Sequence, residues 1–331
     1  MTPASLWRHA GGRAGLLLLG ALILLVLLAP PFLPAPYLQP DPEHGRLLPP
    51  GAAHLLGTDD LSRDVLARVV AGGRVSLGVA AGAVLLSVSL GTLVGLTAGY
   101  AGGWVDQVLM RLVDAALAVP RLFLLLIIVG VMQRIPLGVL ILAIGATGWF
   151  GTSRLVRAEV LRLRTLDFVR GARALGAGPR RVVFRHLLPN VLGPLAAATT
   201  LAVGDVILLE AGLSFLGLGV QPPTPSWGGM IFAARSDLVN APWVSLAPGL
   251  AIVLTVLAVN LVGYLPWAYR AFSEWGLWRP IPPLFRRKPK AEEPPAAPGT
   301  QGSDRDATPM PVLTIEQDQT LPQQAPPPER K

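Results

Sequence analysis

The sequence predicts an all-α membrane protein with six transmembrane helices. Of its 331 residues, 52% are hydrophobic and only 15% are charged, whereas globular domains usually carry about 25% charged residues. Three stretches, residues 14–40, 75–105 and 238–269, contain no Asp, Glu, Lys or Arg. A run of about 20 apolar residues is long enough to cross a bilayer as a helix. The net charge of +8 is therefore attributed to a membrane surface and not to nucleic acid.

Six apolar runs meet this criterion. They are expected at residues 16–33, 75–99, 112–132, 137–154, 191–213 and 244–266. A signal peptide is the alternative for the first run, but no small-residue cleavage site follows, and the proline-rich residues 29–40 fit the exit of a retained helix. Pro120 should bend the third run. Asp114 and Arg121 are about two helical turns apart there, so we expect them to share a face towards protein or a water-filled cavity.

The distribution of basic residues predicts the orientation. With the N-terminus in the cytoplasm, 21 of the 28 Lys and Arg residues fall in cytoplasmic segments and 6 in external ones, as the positive-inside rule requires. Both termini are therefore expected in the cytoplasm. The predicted organisation is an N-terminal part, 1–74, with the first span and an external stretch, then a transmembrane core, 75–270, and a disordered Pro-rich tail, 271–331.

The external stretch contains His54 and three carboxylates within residues 59–64. Thr58 or Asp59 is expected to cap a short amphipathic helix that runs through Val65, Leu66, Val69 and Val70 and lies at the membrane surface. One histidine among three carboxylates is weak evidence for a metal site. Capping and turn roles are therefore favoured over metal or substrate binding.

The only long cytoplasmic loop, residues 154–190, is patterned as two short helices with a break between them. Apolar residues follow one side of each half, and arginines surround them. Gly176 suits the break because glycine adopts positive φ. Pro179 suits the start of the second helix and Pro189 its end. Docking into a groove of a partner protein and lying on an anionic membrane surface are nearly equal alternatives for this pattern.

This loop resembles the cytoplasmic signature of binding-protein-dependent ABC importer permeases. That signature is Glu-Ala-Ala, three residues, Gly, nine residues, an apolar residue, any residue, and Leu-Pro. Ala172, Gly176 and Pro189 match it, whereas Arg170 stands where Glu is usual and His186 takes the apolar place.

Further stretches narrow the resemblance to the second, C-type permease subunit of dipeptide, oligopeptide and nickel importers. They lie at residues 54–64, 102–106, 110–114, 154–160 and 210–228. The resemblance covers roughly residues 15–266 and implies the type I ABC importer permease fold with a cytoplasmic coupling-helix loop. It also implies a second homologous permease, two ATPase subunits that hold ATP-Mg, and an extracytoplasmic substrate-binding protein as partners. The location it implies is the cell (inner) membrane of a bacterium or archaeon.

The resemblance further implies that the loop docks in a cleft of an ATPase subunit. The residues expected to take part are Arg170, Ala172, Arg173, Gly176, Arg180, Arg181, Arg185, His186 and Pro189. Carboxylates inside a span are costly and are therefore functional candidates. Asp205 is expected either to pair with Arg121 or to line the translocation path, and backbone N–H groups after Glu210 are expected to hold that carboxylate. No substrate-binding residue and no metal site follow from the sequence.

The leading hypothesis is a non-catalytic permease subunit of an ATP-driven importer, because the sequence has no Gly-x-x-x-x-Gly-Lys-Ser/Thr loop and no cofactor is expected on this chain. An ion-gradient-driven secondary transporter is the alternative, but it would need coupling carboxylates and an internal repeat, and Asp205 is the only mid-span candidate. A membrane hydrolase is disfavoured because the four histidines lie outside the predicted spans. Family frequency favours peptide as the cargo, and a nickel chelate or another small solute stays open.

Overall fold

The computed structural model describes residues 10–32, 38–40, 45–132 and 135–263. Apart from one isolated bridge between Thr58 and Asp64, the regular structure in these ranges is helical. The helices are α1 (Ala10–Leu28), α2 (Val65–Ala101), α3 (Gly103–Ala118), α4 (Arg121–Gly130), α5 (Leu137–Leu163), α6 (Asp167–Ala174), α7 (Pro179–Val182), α8 (Leu188–Phe215), α9 (Trp227–Ala233) and α10 (Pro242–Gly263). The predicted disordered tail, 271–331, lies outside the described residues.

Five helical segments are long and apolar enough to cross a membrane. They are α1, α2, α5, α10 and the continuous segment Pro179–Phe215 that contains α7 and α8. The pair α3 and α4 also qualifies when taken together, although its two halves are bent by 79°. With this pair counted as one broken crossing, each of the six predicted spans has a counterpart, and the all-α membrane fold is confirmed.

The break between α3 and α4 falls at Pro120, where the bend was predicted, because proline cannot continue the helical hydrogen bonding. The expectation that Asp114 and Arg121 share one helix face is wrong, since the two residues belong to different halves of the bent pair. The exposed Asp114 forms an ion pair with Arg154. The Arg121 guanidinium instead contacts α5, where its Nη2 donates to the carbonyl oxygen of Ile144 at 2.6 Å.

The helix α2 begins later than the predicted cap and runs further than the predicted surface helix. The Asp64 carboxylate accepts a hydrogen bond from the backbone N–H of Ala67 at 2.7 Å and caps the helix. Neither Thr58 nor Asp59 does so. No proline interrupts residues 65–101, so the expected amphipathic segment forms the first turns of a 37-residue helix.

Glycines allow α2 and α5 to approach closely. Gly91, Gly95 and Gly99 lie at four-residue spacing on one face of α2, a pattern that lets helix backbones meet in membranes. A β-carbon added at Gly95 would lie only 2.6 Å from the backbone oxygen of Ser153 and 2.7 Å from Cβ of Val156. This contact fixes α5, and with it the loop that follows, against the 37-residue helix α2.

Three apolar clusters hold the bundle along its length. The central one joins α2, α4, α5, α8 and α10 and includes Leu125, Ile144 and Ile207. The second joins the ends of α2 and α5 to residues 169–195. The third packs the start of α2 against α9 and the start of α10. The loop between α5 and α8 and the segment before α2 are thus each anchored in a core.

Candidate coupling loop and intramembrane polar residues

The first half of the loop is the predicted short helix, now α6. Its Val169 side chain is fully buried in a cluster with Val160, Val182 and Leu187. Its other side is open, because Phe168 is 45% exposed and Leu175, just after the helix, is 91% exposed. One side of the helix is therefore packed against the bundle, and the opposite side is exposed.

The bend after α6 has the form that the sequence predicted. Gly176 has a φ of +83°, which glycine adopts at little cost. The Gly176 N–H donates to the carbonyl oxygen of Arg173 at 2.9 Å, and the Ala177 N–H donates to that of Ala172 at 3.0 Å. These two bonds form a Schellman motif, which satisfies the last carbonyl groups of the helix.

The second half of the loop differs from the prediction, because Pro189 does not end a helix. The chain continues from Pro179 to Phe215 as one helical segment. A π-helical turn at Val183–Leu187 precedes the proline, and the Leu188 N–H donates to the carbonyl oxygen of Val183. The wider turn accommodates a residue that lacks an N–H group. The side-chain amide of Asn190 donates to the carbonyl oxygen of His186 at 2.6 Å, adding a bond beside the proline.

The predicted coupling residues lie together on this element. Those that are exposed are Arg170, Arg173, Gly176, Arg180, Arg181, Arg185 and Pro189, whereas Ala172 and His186 are half-buried. The Arg173 guanidinium lies over the Tyr100 ring, 5.2 Å from its centre. Among the described residues, the five arginines of this set are exposed and form no ion pair.

Two polar contacts fix the base of the loop. Arg157 on α5 binds Asp106 on α3 through two hydrogen bonds, of which the Nη2 to Oδ2 bond is 2.6 Å. Arg164 donates to the carbonyl oxygen of Gly99 at 3.2 Å. Bidentate arginine–carboxylate pairs are geometrically specific. The helix that leads into the loop is therefore held at its end by both α2 and α3.

Glu210 lies on α8, is only 1% exposed, and accepts hydrogen bonds from side chains. The Ser214 hydroxyl donates to Oε1 at 2.7 Å, and the Ser76 hydroxyl donates to Oε2 at 3.0 Å. The Trp227 N–H donates to the Ser76 oxygen at 3.2 Å. The sequence predicted backbone N–H donors from the turn after Glu210. Serine hydroxyls take that role, and Ser76 is 134 positions away, so no local pattern could identify it.

Arg121 and Asp205 line one cavity of about 260 Å³. Asp205 is exposed on α8, and Arg121 is half-buried at the start of α4. In the described part of the chain, neither residue belongs to an ion pair. Of the two expectations for Asp205, the geometry therefore favours a place on the cavity wall over a direct pair with Arg121.

The carboxylates before α2 have capping and turn roles. Asp59 accepts from the backbone N–H groups of Leu61 and Arg63, both at 2.9 Å, and from the Arg63 side chain at 2.7 Å. Asp64, the cap of α2, also binds His54 Nδ1 at 2.7 Å. In the described ranges, no three histidine or carboxylate side chains are grouped as metal ligands.

Comparison with known proteins identifies the family. Residues 91–271 match the family model described as binding-protein-dependent transport system inner membrane component. The chain is 39% identical over 271 residues to the dipeptide transport system permease protein DppC of Alkalihalophilus pseudofirmus, covering 79% of this chain and 88% of the relative. It is 34% identical over 268 residues to the oligopeptide transport system permease protein OppC of Haemophilus influenzae, covering 78% and 86%.

A third relative is the glutathione transport system permease protein GsiD of Pectobacterium atrosepticum, with 41% identity over 214 residues that cover 65% of this chain and 71% of the relative. These matches confirm the resemblance found at the loop. They also exclude the secondary transporter, because the family is a component of binding-protein-dependent systems. The chain belongs to the binding-protein-dependent transport system inner membrane components and is a multi-pass permease subunit of an ABC importer.

Proposed function

We propose that this chain is one of two permease subunits that form the translocation path of a peptide importer, and that ATP is hydrolysed on two partner subunits. The coupling loop, residues 164–189, carries this proposal. Its apolar side is fixed in the bundle, whereas Phe168, Leu175 and five arginines of the loop are exposed. Large apolar side chains with a polar rim are typical of protein interfaces. This favours a groove on an ATPase subunit over a lipid surface.

In this proposal, the ATPase subunits close when they bind ATP and displace the coupling loop. The displacement biases the spans between inward-open and outward-open arrangements, because the ligand-bound partners prefer one of the two states. An extracytoplasmic binding protein supplies the substrate. Both termini lie in the cytoplasm, an orientation supported by the 21 basic residues in segments assigned to that side and the 6 assigned to the other.

Peptide is the proposed cargo. The named relatives transport dipeptides, oligopeptides and glutathione, and glutathione is itself a small peptide. A nickel chelate has no support in these names.

The proposal is tested by purifying the chain from its native membrane in mild detergent. A second permease and two ATPase subunits are expected to co-purify. After reconstitution in liposomes with the cognate binding protein, the complex should accumulate radiolabelled alanyl-alanine only when ATP is present on the loop side. Excess unlabelled dipeptide should compete, and excess nickel chelate should not. A chain that purifies alone, or a complex that accumulates no peptide, would contradict the proposal.

The orientation can be tested with single introduced cysteines, because the chain has no native cysteine that must first be removed. Thr165→Cys, in the exposed stretch before α6, should react with a membrane-impermeant maleimide only from the cytoplasmic side. Val239→Cys, where the native side chain is 92% exposed, should react only from the external side. The unmodified chain is the control and should remain unlabelled. Reaction of the two variants from the same side, or from the opposite sides to those stated, would refute the orientation.

A further inference from the structure

Two cavities adjoin the helix break at Pro120. One has a volume of about 250 Å³ and the other, which contains Asp205 in its wall, about 260 Å³. Arg121, Gly148 and Gly151 line both. Non-helical backbone at membrane depth is tolerated only where it is buried in protein or lines a water-filled space. The break therefore marks a polar site inside the membrane part of the chain.

The neighbouring helix α5 provides a place for the Arg121 guanidinium. Arg121 Nη2 donates to the carbonyl oxygen of Ile144 at 2.6 Å, and Nε donates to the Thr147 hydroxyl at 3.3 Å. Position 148 is glycine, and a β-carbon there would lie 2.8 Å from Arg121 Nη2 and 2.6 Å from the Ser87 hydroxyl. These bonds use two of the five N–H donors of the guanidinium. Arg121 is thus held in place with donors left for a ligand.

Asp205 supplies the opposite charge to the same cavity. Its side chain is exposed on α8, and Ser87 and Thr152 add hydroxyl groups to the wall. No ion pair involving Asp205 or Arg121 occurs among the described residues. Charges at membrane depth are costly and are retained where they pair or serve a pathway. A cavity with one positive and one negative side chain in its wall is complementary in charge to a zwitterion, which carries one negative and one positive group.

We propose that this cavity is a transit site for short peptides with free termini, in which Arg121 binds the α-carboxylate and Asp205 binds the α-ammonium group. This inference rests on the proposed peptide transport. The cavity volume of about 260 Å³ is close to the lower limit of small-molecule sites, about 300 Å³, so the ligand is a small peptide. Binding both termini offsets the desolvation of both wall charges and of both ligand charges.

The test measures ATP-dependent uptake by the reconstituted complex with saturating loaded binding protein. Alanyl-alanine is compared with its C-terminal amide and with its N-acetyl derivative. Arg121→Gln is expected to lower uptake of the free dipeptide about tenfold and to leave uptake of the amide nearly unchanged. Asp205→Asn is likewise expected to lower uptake of the free dipeptide about tenfold and to leave uptake of the N-acetyl derivative nearly unchanged. The binding protein is common to wild type and variant, so its own preference cancels in the comparison.

The controls use the exposed ion pair of Arg154 and Asp114, which lies outside this cavity. Arg154→Gln and Asp114→Asn remove the same charges and should leave both uptake ratios unchanged. Arg121→Lys and Asp205→Glu keep the charges and should restore most of the discrimination. If Arg121→Gln or Asp205→Asn fails to assemble, the uptake ratios of these charge-preserving variants are compared with wild type instead. Normal wild-type uptake with unchanged ratios in the cavity variants would overturn this inference alone. Absence of peptide uptake by wild type would overturn the proposed function itself.

Discussion

A Gly176→Val substitution in the coupling loop is expected to lower ATP-dependent uptake about tenfold or more while the permease still folds. A β-branched residue at a φ of +83° costs about 1–3 kcal/mol, and 1.4 kcal/mol changes an equilibrium about tenfold. The strain is relieved when the loop adopts another bend, which moves α6 away from its position relative to α7. A β-carbon at position 176 would meet no atom of the described chain within 4 Å, so core packing is unaffected.

The measurement is uptake per reconstituted complex, together with the amount of ATPase that co-purifies. Gly178→Val is the matched control, because Gly178 has an ordinary extended backbone with a φ of −67° and is equally free of close neighbours. Gly176→Asn should retain most of the activity, since asparagine tolerates the left-handed region. Equal uptake by the two valine variants would show that the bend at Gly176 is not required for coupling.

Removal of the Glu210 carboxylate is expected to produce the largest loss of stability. Glu210→Ala deprives the hydroxyl groups of Ser76 and Ser214 of their acceptor and leaves a cavity where a side chain only 1% exposed was packed. Each buried polar group without a partner costs about 1–3 kcal/mol. The midpoint of thermal unfolding in detergent should therefore fall clearly below that of wild type.

Two further variants separate this effect from a general effect of charge removal. Glu210→Gln keeps an acceptor for Ser214 and should be intermediate in stability. Glu159→Ala removes a carboxylate that forms an ion pair with the exposed Arg162, and such surface pairs contribute only about 0–1 kcal/mol. If Glu210→Ala and Glu159→Ala unfold at the same temperature, the hydroxyl contacts of Glu210 do not stabilise the bundle.

The number of crossings and the bend at Pro120 could be predicted because each depends on a local property. Apolar length determines whether a helix can span, and proline disrupts a helix wherever it occurs in the interior. Positive φ at Gly176 was predictable for the same reason. The start of α2 was not, because Thr58, Asp59 and Asp64 are all acceptable caps and only the tertiary hydrogen bonds choose among them.

The remaining differences arise from contacts between distant residues. Pro189 usually signals the end of a helix, but the π-helical turn before it lets the helix continue. The acceptor of the Ser76 hydroxyl and the neighbours of Arg121 lie on other helices, and their identity depends on how α2, α5 and α8 pack. The sequence could mark Arg121, Asp205 and Glu210 as unusual. It could not assign Glu210 to a serine cluster and the other two to a shared cavity.

The unbroken helix from Pro179 to Phe215 has a mechanical consequence. At 1.5 Å per residue, Arg181 lies about 44 Å from Glu210 along this helix, and Asp205 lies about 7.5 Å from Glu210. Near the start of this helix, Val182 and Leu187 are buried in a cluster with residues of α2 and α5. Near its end, the Glu210 carboxylate accepts a hydrogen bond from Ser76 on α2. A displacement of the coupling loop is therefore passed along one helix, past Asp205 and into the bundle, without an intervening loop.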